Sequence, residues 1–105
     1  MTTAVPVPAP QRGQLRIADR VFTRLAALAA RQALAEDDGT VQRTSVVEQH
    51  GEVRLTVGVE LPFPADLAAL AERVRAAVQE RLSELTGRTV GEVVVVVERL
   101  VPRGR

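Results

Sequence analysis

His50 and the acidic cluster Glu36-Asp37-Asp38 are the residues whose types could support general-base or cation chemistry. Neither has the surroundings that such chemistry needs. No Ser, Cys or carboxylate stands around His50 in a triad order, and Gln49-His50-Gly51-Glu52 reads as the tip of a hairpin. The acidic run lacks the alternating oxygen-ligand spacing of a calcium loop and reads as a solvated turn. With no Cys, one His and one Met, nothing is available for a disulfide, a thiol nucleophile or a multi-histidine metal site. Gly87-Arg88-Thr89-Val90-Gly91 has two glycines four apart, but no Lys exists in the chain to reach a phosphate. These residues predict a protein that is not an enzyme and holds no cofactor or metal.

Charge and aromatic content point the same way. All 14 basic residues are Arg, and 13 acidic residues bring the formal charge to +1, so no broad field steers the chain to nucleic acid or an anionic membrane. The pI near 9.0 reflects the high pKa of guanidinium. Two Phe, no Tyr and no Trp leave no stacking platform, and no GxxG clamp is present, so nucleic acid is not an expected partner. No apolar run nears the roughly 20 residues that span a bilayer. Met1-Thr2-Thr3-Ala4 does not open a signal peptide, and the expected location is cytoplasmic.

The elements that position these residues follow from periodicity. Residues 1–12, with Val5-Pro6-Val7-Pro8-Ala9-Pro10, read as a disordered tail, 13–101 as a single α+β domain, and 102–105 as a frayed basic tail. Leu15-Arg16-Ile17 predicts a short strand. A helix over 19–35 carries Val21, Leu25, Leu28 and Ala29 on one stripe with Phe22, Ala26 and Ala33 beside it, and Gly39 is expected to take positive φ at its stop. Two strands over 40–48 and 52–61 form a hairpin whose paired positions sum to 101, setting Val46 opposite Leu55 and Val47 opposite Arg54. Leu61-Pro62-Phe63-Pro64 ends the second strand, with Phe63 turned into the core. A helix over 65–86 follows, with Asp66 in its first turn and Leu67, Leu70, Ala71, Val74, Val78, Leu82 and Leu85 on its apolar face. Thr89 to Val101 is a last strand whose Val93, Val95 and Val97 face the core.

The resulting β-α-β-β-α-β order predicts a two-layer sandwich, with both helices on one face of a mainly antiparallel sheet. The other face then exposes Val41, Val47, Val94 and Val96 among Arg43, Arg54, Thr56 and Glu60. An apolar cluster rimmed by charge on so small a protein marks a candidate partner-binding surface.

Three stretches, Gly13 to Val21, the strand Val53-Arg54-Leu55-Thr56-Val57-Gly58-Val59, and Val74 through Val97 with Leu85-Thr86-Gly87 before Val90, Val93 and Val95, resemble the alkaline shock protein family of envelope stress response proteins. The resemblance covers about residues 13–101 and implies a non-enzymatic cytoplasmic protein that helps maintain the cell envelope of Gram-positive bacteria. It also implies self-association into a homo-oligomer and tethering to the membrane by a small integral membrane anchor protein, without direct insertion. No catalytic residue carries over. Glu36-Asp37-Asp38-Gly39 and Leu61-Pro62-Phe63-Pro64 depart from the family's usual loops. The same order of elements also fits a small ferredoxin-like regulatory or RNA-binding module.

Overall fold

The computed structural model of the chain describes residues 19–86 and 90–102. They form α1 (Asp19–Ala33), β1 (Thr40–Gln49), β2 (Glu52–Phe63), α2 (Leu67–Thr86) and β3 (Val90–Pro102). The α+β class stands, with two helices and three strands in one sheet. The expected β-α-β-β-α-β order does not: the observed order is α-β-β-α-β, and the strand expected at Leu15-Arg16-Ile17, like the Pro-rich tail and Gly87, lies outside the described residues.

The sheet is mixed rather than mainly antiparallel. Its order is β1-β2-β3, with β1 antiparallel and β3 parallel to the central β2. The reason is the length of α2. Twenty helical residues cover about 30 Å, close to the roughly 33 Å between Val53 and Phe63 in an extended strand, so the crossover returns the chain to the start of β2. Val90 therefore pairs with Val53, and the valine run Val93–Val97 pairs with Leu55–Val59. No strand separates β2 from β3, unlike the split arrangement of a ferredoxin-like fold.

The hairpin has the expected register, Val46 with Leu55 and Val47 with Arg54. His50 and Gly51 form its two-residue loop with φ of 54° and 80°, the positive pair that a twisted hairpin needs. The register shifts between Val41 and Arg43, so Gln42 is an extra residue in β1 and Val41 pairs with Val59.

The core joins both layers. Val53, Leu55, Val57, Val59 and Leu61 on the inner side of β2 meet Leu70, Val74, Val78 and Leu82 of α2 and Phe22, Ala26, Ala29 and Ala30 of α1. The stripe of α1 is thus rotated from the expected one: Val21 and Leu28 are exposed, because the small alanines let α1 sit close to the sheet while Phe22 and Leu34 fill the space at either end. The Thr44 hydroxyl donates to the Thr23 carbonyl at 3.0 Å and ties β1 to α1. After α1 ends at Ala33, positive φ falls at Asp38 (59°) and not at Gly39. Gly39 lies close to its neighbours: a Cβ there would stand 3.1 Å from a Leu34 methyl and 3.3 Å from the Glu60 carbonyl oxygen.

Prolines do not stop β2 at Leu61. Among the described residues only β3 pairs with β2 beyond Glu60, so Pro62, which has no N–H, is accommodated where β1 no longer pairs. Phe63 is exposed rather than buried, since it lies at the extreme end of the β2–β3 pair opposite Pro102. Pro102, expected in the C-terminal tail, is the last residue of β3. Asp66 precedes α2 as its cap, accepting the Ala69 N–H at 3.1 Å. Within α2, Arg75 donates to both carboxylate oxygens of Glu72 and holds that carboxyl below the usual range.

Candidate functional site

The sheet face away from the helices is built in rows of three. Pairing across β1, β2 and β3 aligns Val47, Arg54 and Glu92; then Ser45, Thr56 and Val94; then Arg43, Gly58 and Val96. Five of the six residues expected on this surface, Arg43, Val47, Arg54, Val94 and Val96, are therefore brought together. Val41 is not. The extra residue Gln42 reverses the alternation beyond the bulge, and Val41 packs against the core.

The valines are the apolar content of this face. Val47 is 53% exposed and Val96 41%, while Val94 between them is half-buried. Ion pairs frame them. Arg54 Nε donates to Glu92 Oε1 at 2.8 Å, and Arg43 Nε donates to Glu98 Oε2 at 2.9 Å. Arg99 reaches Glu60 at 3.5 Å farther along. The Arg43–Glu98 pair runs from β1 to β3 over the central strand, and it can do so because Gly58 lies beneath it: a Cβ at Gly58 would fall on the Glu98 carboxylate. Phase alone placed Glu92 and Glu98 outward but did not pair them. The signal was Gly58, a side-chain-free position in an outward series otherwise made of Arg54, Thr56 and Glu60.

On this face Glu92 and Glu98 accept from guanidinium groups, and no hydrogen bond joins a hydroxyl or imidazole to a carboxylate there among the described residues. His50 sits at the hairpin tip over a recess of about 120 Å³ lined also by Glu52, Arg54 and Glu92, well below the roughly 300 Å³ at which small-molecule pockets begin. Among the described residues no group of three His, Cys, Asp or Glu is placed to hold a metal ion, and no helix is long and apolar enough to cross a membrane.

Among the described residues no strand pairs with the outer side of β1 or of β3. β3 carries its valine run along one of these sides, and its second half is exposed, with Val97 at 36% and Leu100 at 44%. In comparison with known proteins, the chain matches no family model, no curated protein and no solved structure.

Proposed function

We propose that the protein is a non-enzymatic interaction protein of the envelope stress type, which associates with itself through the outward sheet face and docks a membrane-anchored partner from the cytoplasm. The observation that supports this reading best is the row structure of that face: Val47, Val94 and Val96 lie on one side of the sheet with no element over them among the described residues, framed by the Arg54–Glu92 and Arg43–Glu98 pairs. Apolar residues inside a charged rim are the usual composition of a protein contact. The envelope role and the membrane-anchored partner rest on the resemblance of residues 13–101 to the alkaline shock protein family.

The test is solution mass by light scattering over a concentration series, for the wild type and for Val47→Glu/Val94→Glu, with folding checked by circular dichroism. The wild type is expected to exceed the 11.3 kDa of one chain, and the double variant to lose mass because paired carboxylates cannot be desolvated in an apolar contact. A folded variant with the same mass as the wild type at every concentration would rule out the sheet face as the contact.

A further inference from the structure

From Val96 to Pro102 every residue of β3 is exposed, and among the described residues this stretch pairs only with β2. A strand with one side unpaired offers a row of N–H and C=O groups to another strand, and a ribbon of two strands is marginally stable by itself. Which strand fits there is set by the order of the side chains.

The pairing with β2 shifts between Val59 and Glu60: Val97 partners Val59, Arg99 partners Glu60, and Glu98 is the extra residue of a bulge. Glu98 and Arg99 therefore both lie on the outward face, where Glu98 reaches Arg43 over Gly58 and Arg99 reaches Glu60. On either side of them the alternation resumes. Val97 and Leu100, partnered with the buried Val59 and Leu61, take the helix side, and Val96 and Val101 take the outward side. From Val96 to Val101 the faces thus read out, in, out, out, in, out, the same from either end.

Such a strand is complementary to a second copy of itself. Residues directly opposite each other in an antiparallel pair share a face, so a regular strand meets its own copy only about a residue that then opposes itself. The bulge lifts this restriction. A two-fold axis between Glu98 and Arg99 sets Val96 opposite Val101, Val97 opposite Leu100 and Glu98 opposite Arg99, each on one face and each twice. A register one residue away opposes Glu98 to Glu98 or Arg99 to Arg99, and a regular pairing centred on Val95 opposes Glu92 to Glu98. Pro102, without an N–H, ends the ladder. We infer that a second copy of this chain adds antiparallel to β3 through Val96 to Val101, with Glu98 of each copy opposite Arg99 of the other, an isologous contact that joins the two sheets into one. This pairing rests on the self-association proposed above but uses the edge of the sheet rather than its face, and with both engaged assembly extends past a dimer.

Mass is measured by sedimentation equilibrium over a concentration series in the Val47→Glu/Val94→Glu background, in which the sheet face is silent. The background protein is expected to rise from the mass of one chain toward twice that mass. Glu98→Arg and Arg99→Glu, each added alone, set like charges opposite at both symmetry-related positions and are expected to weaken the dimer about tenfold. An equal mixture of these two variants, and the swap Glu98→Arg/Arg99→Glu, put opposite charges back across the axis and are expected to recover it. The swap leaves an arginine beside Arg43, so its recovery reads the contact between copies and not the pairs within one chain, and it shows that the variant is folded. The chain has no Cys, so the register is read separately: a mixture of Val97→Cys and Leu100→Cys chains is expected to form disulfide-linked heterodimers ahead of either homodimer. A dimer indifferent to the single reversals, or cysteine chains that cross-link no faster mixed than alone, overturns the inference. A background protein that stays monomeric while the wild type oligomerises also overturns it, leaving the edge to an extended segment of another protein or to solvent, and the sheet-face reading stands. A background protein as large as the wild type that responds to the reversals as expected removes the sheet face and upholds the edge.

Discussion

Asp66 is a single side chain on which the start of α2 depends. Its carboxylate accepts the Ala69 N–H, one of the four donors that a helix start leaves without an intrahelical partner. Asp66→Ala should cost about 1 kcal/mol, read in thermal unfolding as a fall in Tm of about 4–8 °C for a domain of this size. Asp66→Asn should recover most of it, and a Tm unchanged in the alanine variant would show that solvent caps the helix equally well. Gly58 acts by omission. Exposed ion pairs contribute only about 0.2–1 kcal/mol, so the coupling between Arg43 and Glu98 should be found near that range in a double-mutant cycle and vanish when the cycle is repeated in Gly58→Ala, where the new Cβ occupies the carboxylate's place. Equal coupling in both backgrounds would mean that Glu98 reaches Arg43 by another route.

At the scale of elements, burial separates residues that periodicity treats alike. Leu82 and Leu85 both belong to the apolar face expected for α2, yet Leu82 is fully buried and Leu85 is 51% exposed at the helix end. Leu82→Ala should cost about 2–5 kcal/mol through lost transfer energy and a cavity, and Leu85→Ala less than about 0.5 kcal/mol. Comparable urea midpoints for the two variants would contradict this placement of the core. The same contrast explains what could be read in advance. The hairpin register was legible because the alternation Val53, Leu55, Val57, Val59 allows one phase only, and His50-Gly51 fixes the loop. Gln42 was not, since an extra residue leaves no mark on composition and yet moves Val41 from the outer face to the core side. The parallel seat of β3 was also hidden: alternation says which side a valine faces, not which strand lies beside it. Five of the six candidate interface residues share a face, and the sixth was lost to the bulge. The rotated stripe of α1 was obscured by alanine, whose size suits a close approach to the sheet as well as solvent.

Across the whole molecule the core is uneven along the sheet. The buried cluster takes Val90 and Val93 from β3, with Val95 packed partly against it, whereas Val96, Val97, Leu100 and Val101 are exposed. β2 has a strand on each side through most of its length, but among the described residues its last residues and the second half of β3 pair only with each other. Stability should therefore fall toward that end, because local opening costs least where few apolar contacts must be broken. In native-state hydrogen exchange, amides of residues 55–59 should exchange only through global unfolding, and those of 98–101 through local opening at a free energy lower by a few kcal/mol. Leu82→Ala makes the distinction sharp. It should lower the opening free energy of 55–59 by the full cost of the substitution and leave that of 98–101 unchanged, since local opening of the sheet end does not disturb the Leu82 site. Protection in 98–101 that falls in step with 55–59 would show instead that β3 opens only together with the core. Protection confined to 98–101 that rises with protein concentration would show that another copy covers the open edge.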